Sequence, residues 1–160
     1  MNAPRLALLL ATAAALASCA RTSEIAAFSS DGCSLFPDRS QISAADWCGC
    51  CYEHDLAYWQ GGVEKDRGAA DAALRDCVAT RTDNQALAES MFLGVRAGGS
   101  AYFPTWYRWG YGWPYGRGYE PLTDNERESA AKRLAEYEAA GTPNVCASVN
   151  EVALWTPPPR

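Results

Sequence analysis

The spacing of apolar residues along the chain predicts a helical protein. The first predicted helix opens at Ser43, with Asp46 three residues later as a capping-box variant, and stops at Gly61. One face of this helix collects residues at intervals of four, three and four positions: Trp47, Cys51, His54 and Tyr58. A second predicted helix spans residues 63–80 and turns four residues inward: Ala70, Leu74, Cys77 and Val78.

Capping signals predict two further helices. Asp83 and Asn84 cap a shorter third helix, which ends by Gly98. A capping box from Thr123 to Glu126 opens a last helix over residues 123–140, which is rich in Ala, Glu, Lys and Arg and is expected to be solvated on most faces. The predicted fold class is therefore mainly α, with a single domain over residues 31–160.

An aromatic and glycine-rich segment separates the last two helices. Residues 102–119, within a predicted loop over residues 100–122, hold nine aromatic residues, four glycines and two prolines, so the segment cannot form a regular helix. One interpretation is a long loop whose rings pack over the helical core. The other is an apolar rim for a lipid-like ligand or a membrane interface, where Trp and Tyr prefer to sit.

Composition narrows the classes of function. The 160 residues include 14 Lys and Arg against 19 Asp and Glu, which gives a formal net charge of −5. Nucleic-acid binders need a basic face, so this acidic balance argues against a nucleic-acid partner. The longest apolar run is too short to span a bilayer, which argues against a polytopic membrane protein.

The N-terminal segment predicts export to the bacterial cell envelope. Arg5 and the apolar run that follows it predict a signal peptide over residues 1–18. Residues 16–19, Leu-Ala-Ser-Cys, resemble a bacterial lipobox, which implies that Cys19 receives a lipid; ordinary cleavage nearby is the alternative. Because Ala20 follows and not Asp, we expect an outer-membrane anchor facing the periplasm, with residues 19–30 as a tether.

Either cleavage removes Cys19 from the disulfide count, because this cysteine is then lipidated or cut off, and six cysteines remain. They are Cys33, Cys48, Cys50, Cys51, Cys77 and Cys146. In an oxidising compartment they predict three disulfides, whose pairing the residues alone leave open. Metal ligation by the dense run at residues 48–51 is the alternative, although no second cluster has zinc spacing.

His54 is the sole histidine of the chain and adjoins a carboxylate, Asp55. Histidine is the natural general base near neutral pH. Asp55 lies about 100° further around the helix, so the two side chains diverge and can serve different purposes. A histidine base also needs an acceptor on its far nitrogen, best supplied by a facing element. Taken alone, the dipeptide favours a purely structural interpretation.

The longer segment around this dipeptide resembles the active-site helix of the secreted phospholipase A₂ family. That signature is Cys-Cys-x-x-His-Asp, with a tyrosine four residues after the histidine. The matching residues here are Cys50, Cys51, His54, Asp55 and Tyr58. In the family, an antiparallel second helix carries an aspartate that binds the histidine and, six residues later, a cysteine; Asp71 and Cys77 have that spacing. The resemblance covers residues 31–77 and is closest to the small bacterial and fungal members.

The resemblance also implies a disulfide pattern. It pairs Cys50 with Cys77 and Cys33 with Cys51, and it leaves Cys48 and Cys146 for each other. A further bridge that is common in the family joins two positions occupied here by Ala57 and Ala70. Both partners of that bridge are therefore missing together, as a correct alignment requires.

The family binds Ca²⁺ through a Cys-Gly-x-Gly-Gly loop and the aspartate that follows the histidine. The corresponding run here, residues 33–37, reads Cys-Ser-Leu-Phe-Pro and lacks those glycines. The resemblance implies Ca²⁺ as the cofactor, held by the Asp55 carboxylate and the carbonyls of Gly32, Ser34 and Phe36.

Two functions follow as hypotheses. In the first, the protein hydrolyses phospholipid acyl esters with Ca²⁺; His54 is the base, Asp71 orients it and Tyr58 supports Asp71. In the second, a non-catalytic envelope lipoprotein keeps a phospholipase-like scaffold and binds lipid or a protein partner. The altered loop and the aromatic segment motivate the second hypothesis.

Overall fold

The computed structural model describes residues 24–141 and 145–146 and is mainly helical. Its helices are α1 (Cys48–Gln60), α2 (Glu64–Thr82), α3 (Gln85–Gly98) and α4 (Asp124–Ala139). In this part of the chain the only β pairing is an isolated antiparallel bridge between Arg39 and Asp46. None of these helices has the length and apolar character needed to cross a membrane. The expected signal peptide and Cys19 lie outside the described residues.

The helix ends show which capping signals operate. Helices α3 and α4 begin at the predicted caps, since Asn84 accepts a hydrogen bond from the Leu87 amide and Thr123 forms a capping box with Glu126. Helix α1 begins at Cys48 and not at Ser43, so that predicted start is wrong. The N-cap residue is Trp47, whose side chain makes no capping hydrogen bond, and Asp46 before it accepts a 3.0 Å hydrogen bond from the Cys48 amide.

Three disulfides tie the helices and the preceding loop together. They join Cys33 to Cys51, Cys50 to Cys77 and Cys48 to Cys146, which is the pairing that the resemblance implied. Around the first two bridges, α1, α2 and α3 bury a shared apolar core that includes Trp47, Leu74, Val78, Ala88 and Met91. Burial of these side chains fixes the three helices around the bridges.

The segment expected to be a tether belongs in part to the folded domain. Ile25 and Phe28 are 1% and 4% exposed and pack with Trp59, Trp113 and Ala130. The Trp59 indole also donates a hydrogen bond of 2.9 Å to the Ala26 carbonyl. Residues 24–30 therefore form a wall of the second apolar cluster, because aromatic partners from distant parts of the sequence bury them.

The aromatic segment covers the C-terminal end of α1. Trp109 and Trp113 are each 2% exposed, and their indoles donate hydrogen bonds of 2.8 Å to the carbonyls of Gly62 and Gln60. Gly112 fits against Trp59 so closely that an added Cβ atom would lie 2.6 Å from the Trp59 carbonyl oxygen. Four other rings of the segment stay at the surface: Tyr102, Phe103, Trp106 and Tyr115.

Candidate active site

The site is centred on a hydrogen bond between α1 and α2. His54 Nε2 lies 2.9 Å from Asp71 Oδ1, and the two residues are 9% and 0% exposed. The Cys50–Cys77 bridge fixes their register: four residues forward along α1 and six residues back along α2 bring the imidazole to the carboxylate. Because an ionised carboxylate only accepts, this contact assigns the proton of the neutral ring to Nε2 and leaves the lone pair on Nδ1.

Asp71 receives more donors than His54 alone. The Tyr58 hydroxyl donates to Oδ1 at 2.7 Å, and Arg96 Nη1 donates to Oδ2 at 2.8 Å. Arg67 Nε lies 3.7 Å from Oδ2. Burial raises the pKa of Asp71, but the hydrogen bonds from His54, Arg96 and Tyr58 outweigh it and hold the pKa below its ordinary value. The carboxylate therefore stays ionised although it is completely buried.

Tyr58 is held between the imidazole and the aromatic segment. Its ring centroid lies 4.1 Å from that of His54 and 5.0 Å, edge to face, from that of Trp109. Burial, followed by the charge of Asp71, raises the pKa of the Tyr58 phenol, so the hydroxyl remains a donor. Gly99 permits this close packing, because an added Cβ atom would lie 2.5 Å from the Tyr58 oxygen.

Two arginines of the site were missed in the sequence. Arg67 lies four residues before Asp71 on the same helix, a spacing that places oppositely charged side chains together and could have revealed it. Arg96 comes from α3, and no local pattern connects it with Asp71. Arg67 also donates to the Tyr58 and Tyr119 hydroxyls and to the Val95 and Arg96 carbonyls, so it joins α1, α2, α3 and the aromatic segment.

Asp55 points away from Asp71, toward the N-terminal loop. Its Oδ2 accepts a 2.7 Å hydrogen bond from the Ser30 hydroxyl. Like the two arginines, Ser30 was not predicted from the sequence. Burial raises the pKa of Asp55 to about 7, and the charges of Asp31 and Asp38 act in the same direction against the Ser30 hydrogen bond. The surroundings of this carboxylate therefore include two further acidic side chains, those of Asp31 and Asp38.

The turn over residues 33–36 contains no glycine and is closed by Asp38, while Gly32 before it takes a left-handed φ of 81°. The Phe36 amide donates to the Cys33 carbonyl at 2.9 Å, and the Cys33 amide donates to Asp38 Oδ1 at 2.8 Å. Leu35 adopts a left-handed φ of 60° in this turn, which is unusual for a residue with a side chain. The loop keeps a tight bend through side-chain hydrogen bonding where the resemblance leads one to expect glycines.

One cavity borders both the imidazole of His54 and the carboxylate of Asp55. It holds about 240 Å³ and is lined by His54, Asp55, the loop of residues 32–36 and the apolar face of α3 that carries Met91 and Val95. In the described part of the chain, no group of three or more His, Cys, Asp or Glu side chains is arranged to hold a metal. A cation here would depend on Asp55 and backbone oxygens, a donor set that fits Ca²⁺.

No protein-family model, no curated protein and no solved structure matches this chain. The chemistry that the site permits is set by its own residues. A histidine whose far nitrogen is bound to a buried carboxylate can act as a general base toward a group in the cavity. The mostly apolar walls of that cavity favour an apolar substrate.

Proposed function

We propose that this protein hydrolyses the acyl esters of phospholipids in the bacterial envelope and depends on Ca²⁺ to do so. The observation that carries the proposal is the His54–Asp71 pair, which borders an apolar cavity also lined by Asp55. The helix pair, the disulfide pattern and the order of the site residues support a fold of the secreted phospholipase A₂ type.

His54 performs the proton transfer in this reaction. Its Nδ1 takes a proton from a water molecule as the water oxygen attacks the ester carbonyl, and later returns the proton to the leaving alkoxide. Asp71 accepts from Nε2 throughout, holds the ring in this tautomer and stabilises the imidazolium that forms. The Tyr58 hydroxyl keeps the Asp71 oxygen in place.

Asp55 and the carbonyls of Gly32, Ser34 and Phe36 are the groups that would hold Ca²⁺. When bound, the cation supplies a positive charge that polarises the ester carbonyl and stabilises the oxyanion. The negative surroundings of Asp55, to which Asp31 and Asp38 contribute, favour a cation at this place. The Ser30 hydroxyl, which also accepts a hydrogen bond from the Gly32 amide, orients the Asp55 carboxylate.

Exposed apolar side chains near the site support a lipid substrate. Leu35 and Phe36 line the cavity with His54 and are 78% and 38% exposed. Trp106 is 66% exposed and lines an adjoining depression with Asp55 and Ser34. Large apolar side chains at the surface favour contact with a lipid interface, where tryptophan is enriched. A lipid on Cys19 would keep the enzyme at a membrane, which we propose to be the outer membrane facing the periplasm.

A non-catalytic envelope lipoprotein that binds lipid or a protein partner is the second candidate. One observation favours it: the turn over residues 33–36 carries side chains throughout and places Leu35 in a left-handed conformation. Such a loop has less freedom than a glycine-rich one to wrap its carbonyls around an ion. The cavity and its apolar border would then serve for binding alone.

Fatty-acid release from phospholipid–detergent mixed micelles, with Ca²⁺ present, decides between the two. We expect activity in the wild type and a loss of orders of magnitude in Asp71→Asn, because the acceptor that orients the base is removed. Asp55→Asn should instead act through the metal: it should weaken Ca²⁺ binding, so that half-maximal activity requires more Ca²⁺. Circular dichroism checks that each variant is folded. A wild type that releases no fatty acid at any Ca²⁺ concentration leaves the binding protein as the explanation.

A further inference from the structure

The second oxygen of Asp71 faces a pair of arginines that the proposed reaction does not use. Arg96 Nη1, from α3, donates to Oδ2 at 2.8 Å, and Arg67 Nε, from α2, lies 3.7 Å from the same oxygen. Oδ1 already accepts hydrogen bonds from His54 and Tyr58. Three helices therefore deliver donors or cations to one carboxylate that is 0% exposed.

We propose that Arg96 is a positioning residue, which keeps Asp71 ionised and fixed in rotation so that the proton of His54 stays on Nε2. This inference rests on the proposed function in that it concerns the same base. It differs in what it predicts, because the position of a proton on the imidazole can be measured whether or not the protein is a hydrolase.

Burial of a charge without partners costs free energy. A carboxylate without solvent needs partners for both oxygens, or it takes up a proton. The ionisable groups that face Asp71 are His54 and Tyr58 from α1, Arg67 from its own helix and Arg96 from α3. Without Arg96, Oδ2 would keep only Arg67 Nε, which at 3.7 Å is beyond hydrogen-bond distance.

A protonated Asp71 would reverse the hydrogen bond to the imidazole. Its carboxyl proton would point at His54 Nε2, which would become the acceptor, and the ring proton would move to Nδ1. Nδ1 would then lose the lone pair with which His54 takes a proton from water. Loss of Arg96 should therefore remove the base without removing the histidine, the aspartate or the cavity.

Arg96 can be substituted with little effect on packing, and Arg67 cannot. The Arg67 side chain is 4% exposed and donates to Tyr58, Tyr119 and two carbonyls of α3, so its removal would disturb the packing of three elements. The Arg96 side chain is 33% exposed, so Arg96→Met leaves no large buried void. Arg75, whose side chain is 35% exposed and pairs with Asp76, offers a matched control on the surface of α2.

The experiment records the nitrogen-15 shifts and proton couplings of the imidazole in wild type, Arg96→Met, Arg96→Lys and Arg75→Met, at a pH at which the ring is neutral. His54 is the sole histidine, so the spectrum reports one ring. We expect the Nε2–H tautomer in the wild type and in Arg75→Met, its partial or complete loss in Arg96→Met, and its recovery in Arg96→Lys.

In the fatty-acid assay, Arg96→Met should lower kcat by about tenfold or more with KM little changed, since the substrate-binding residues are untouched. Arg96→Lys should recover part of that loss. An Arg96→Met protein that is folded and keeps the wild-type tautomer overturns the positioning role. If the wild type is inactive, the proposed function fails, and the tautomer alone decides the role of Arg96.

Discussion

The Tyr58 hydroxyl donates a 2.7 Å hydrogen bond to Asp71 Oδ1, the oxygen that also faces His54. The same hydroxyl accepts from Arg67 Nε at 3.0 Å. Tyr58 thus links Arg67 to the carboxylate that orients the base, and it is buried, at 2% exposed. Its role is to hold Asp71, since the raised pKa of the phenol keeps the proton on the oxygen.

We expect Tyr58→Phe to lower the free energy of unfolding by about 1–3 kcal/mol, because the variant leaves the Arg67 Nε–H buried without its acceptor. Hydrolysis should fall by a smaller factor than in His54→Gln, since Asp71 keeps its contacts with His54 and Arg96. Urea denaturation measures the first quantity and fatty-acid release the second. Tyr102→Phe, at a ring that is 63% exposed, is the control and should change neither.

Substitution of two glycines by alanine should change the stability in opposite directions, because only one of them lies at the contact between the aromatic segment and α1. Gly112→Ala should destabilise the protein, because its Cβ atom would lie 2.6 Å from the Trp59 carbonyl and indole. Gly68→Ala, inside α2 with nothing within 4 Å of the added atom, should stabilise it by about 0.5–1 kcal/mol. Thermal denaturation of both variants measures the difference. A Gly112→Ala protein as stable as the wild type would contradict the described packing.

The Arg117–Glu126 ion pair predicts a loss of stability in acid. The hydrogen bond from Arg117, with those from the Thr123 amide and hydroxyl, lowers the pKa of Glu126 to about 2. A carboxyl group with a lowered pKa contributes stability above its ordinary pKa of about 4.5 and loses it as the pH falls toward about 2.

The free energy of unfolding should therefore be higher in the wild type than in Glu126→Gln at pH 6, and this difference should shrink between about pH 4.5 and pH 2. Urea denaturation across that range measures it. Glu128→Gln, at an exposed position of the same helix, is the matched control. A difference between wild type and Glu126→Gln that stays constant with pH would contradict this assignment.

Local signals in the sequence predicted much of the architecture. The side chains of Asn84 and Thr123 cap helices through contacts within three residues, so their pattern is readable along the chain. The start of α1 was missed because Asp46 and not Ser43 accepts the first free amide of that helix. The burial of Ile25 and Phe28 was missed because their partners lie on α1, α4 and the aromatic segment.

Local spacing predicted one part of the candidate site, and tertiary packing determines the other. Spacing along two helices was enough to bring His54 and Asp71 together, since a helix repeats its faces every three to four residues. Arg96 and Ser30 lie 25 residues or more from the carboxylates that they bind, and no periodic pattern connects such positions. Their contacts depend on how α3 and the N-terminal segment pack, which only the tertiary structure provides.

Hydrolysis by His54 is measured by comparing the wild type with His54→Gln in fatty-acid release from mixed micelles, with Ca²⁺ and with a chelator. Glutamine keeps a polar side chain at this position but has no group that titrates as a base. We expect the wild type to release fatty acid with Ca²⁺ and to lose that activity with the chelator, and His54→Gln to lose it in both conditions. Undiminished release by a folded His54→Gln protein, or release by the wild type that is independent of Ca²⁺, would contradict the account.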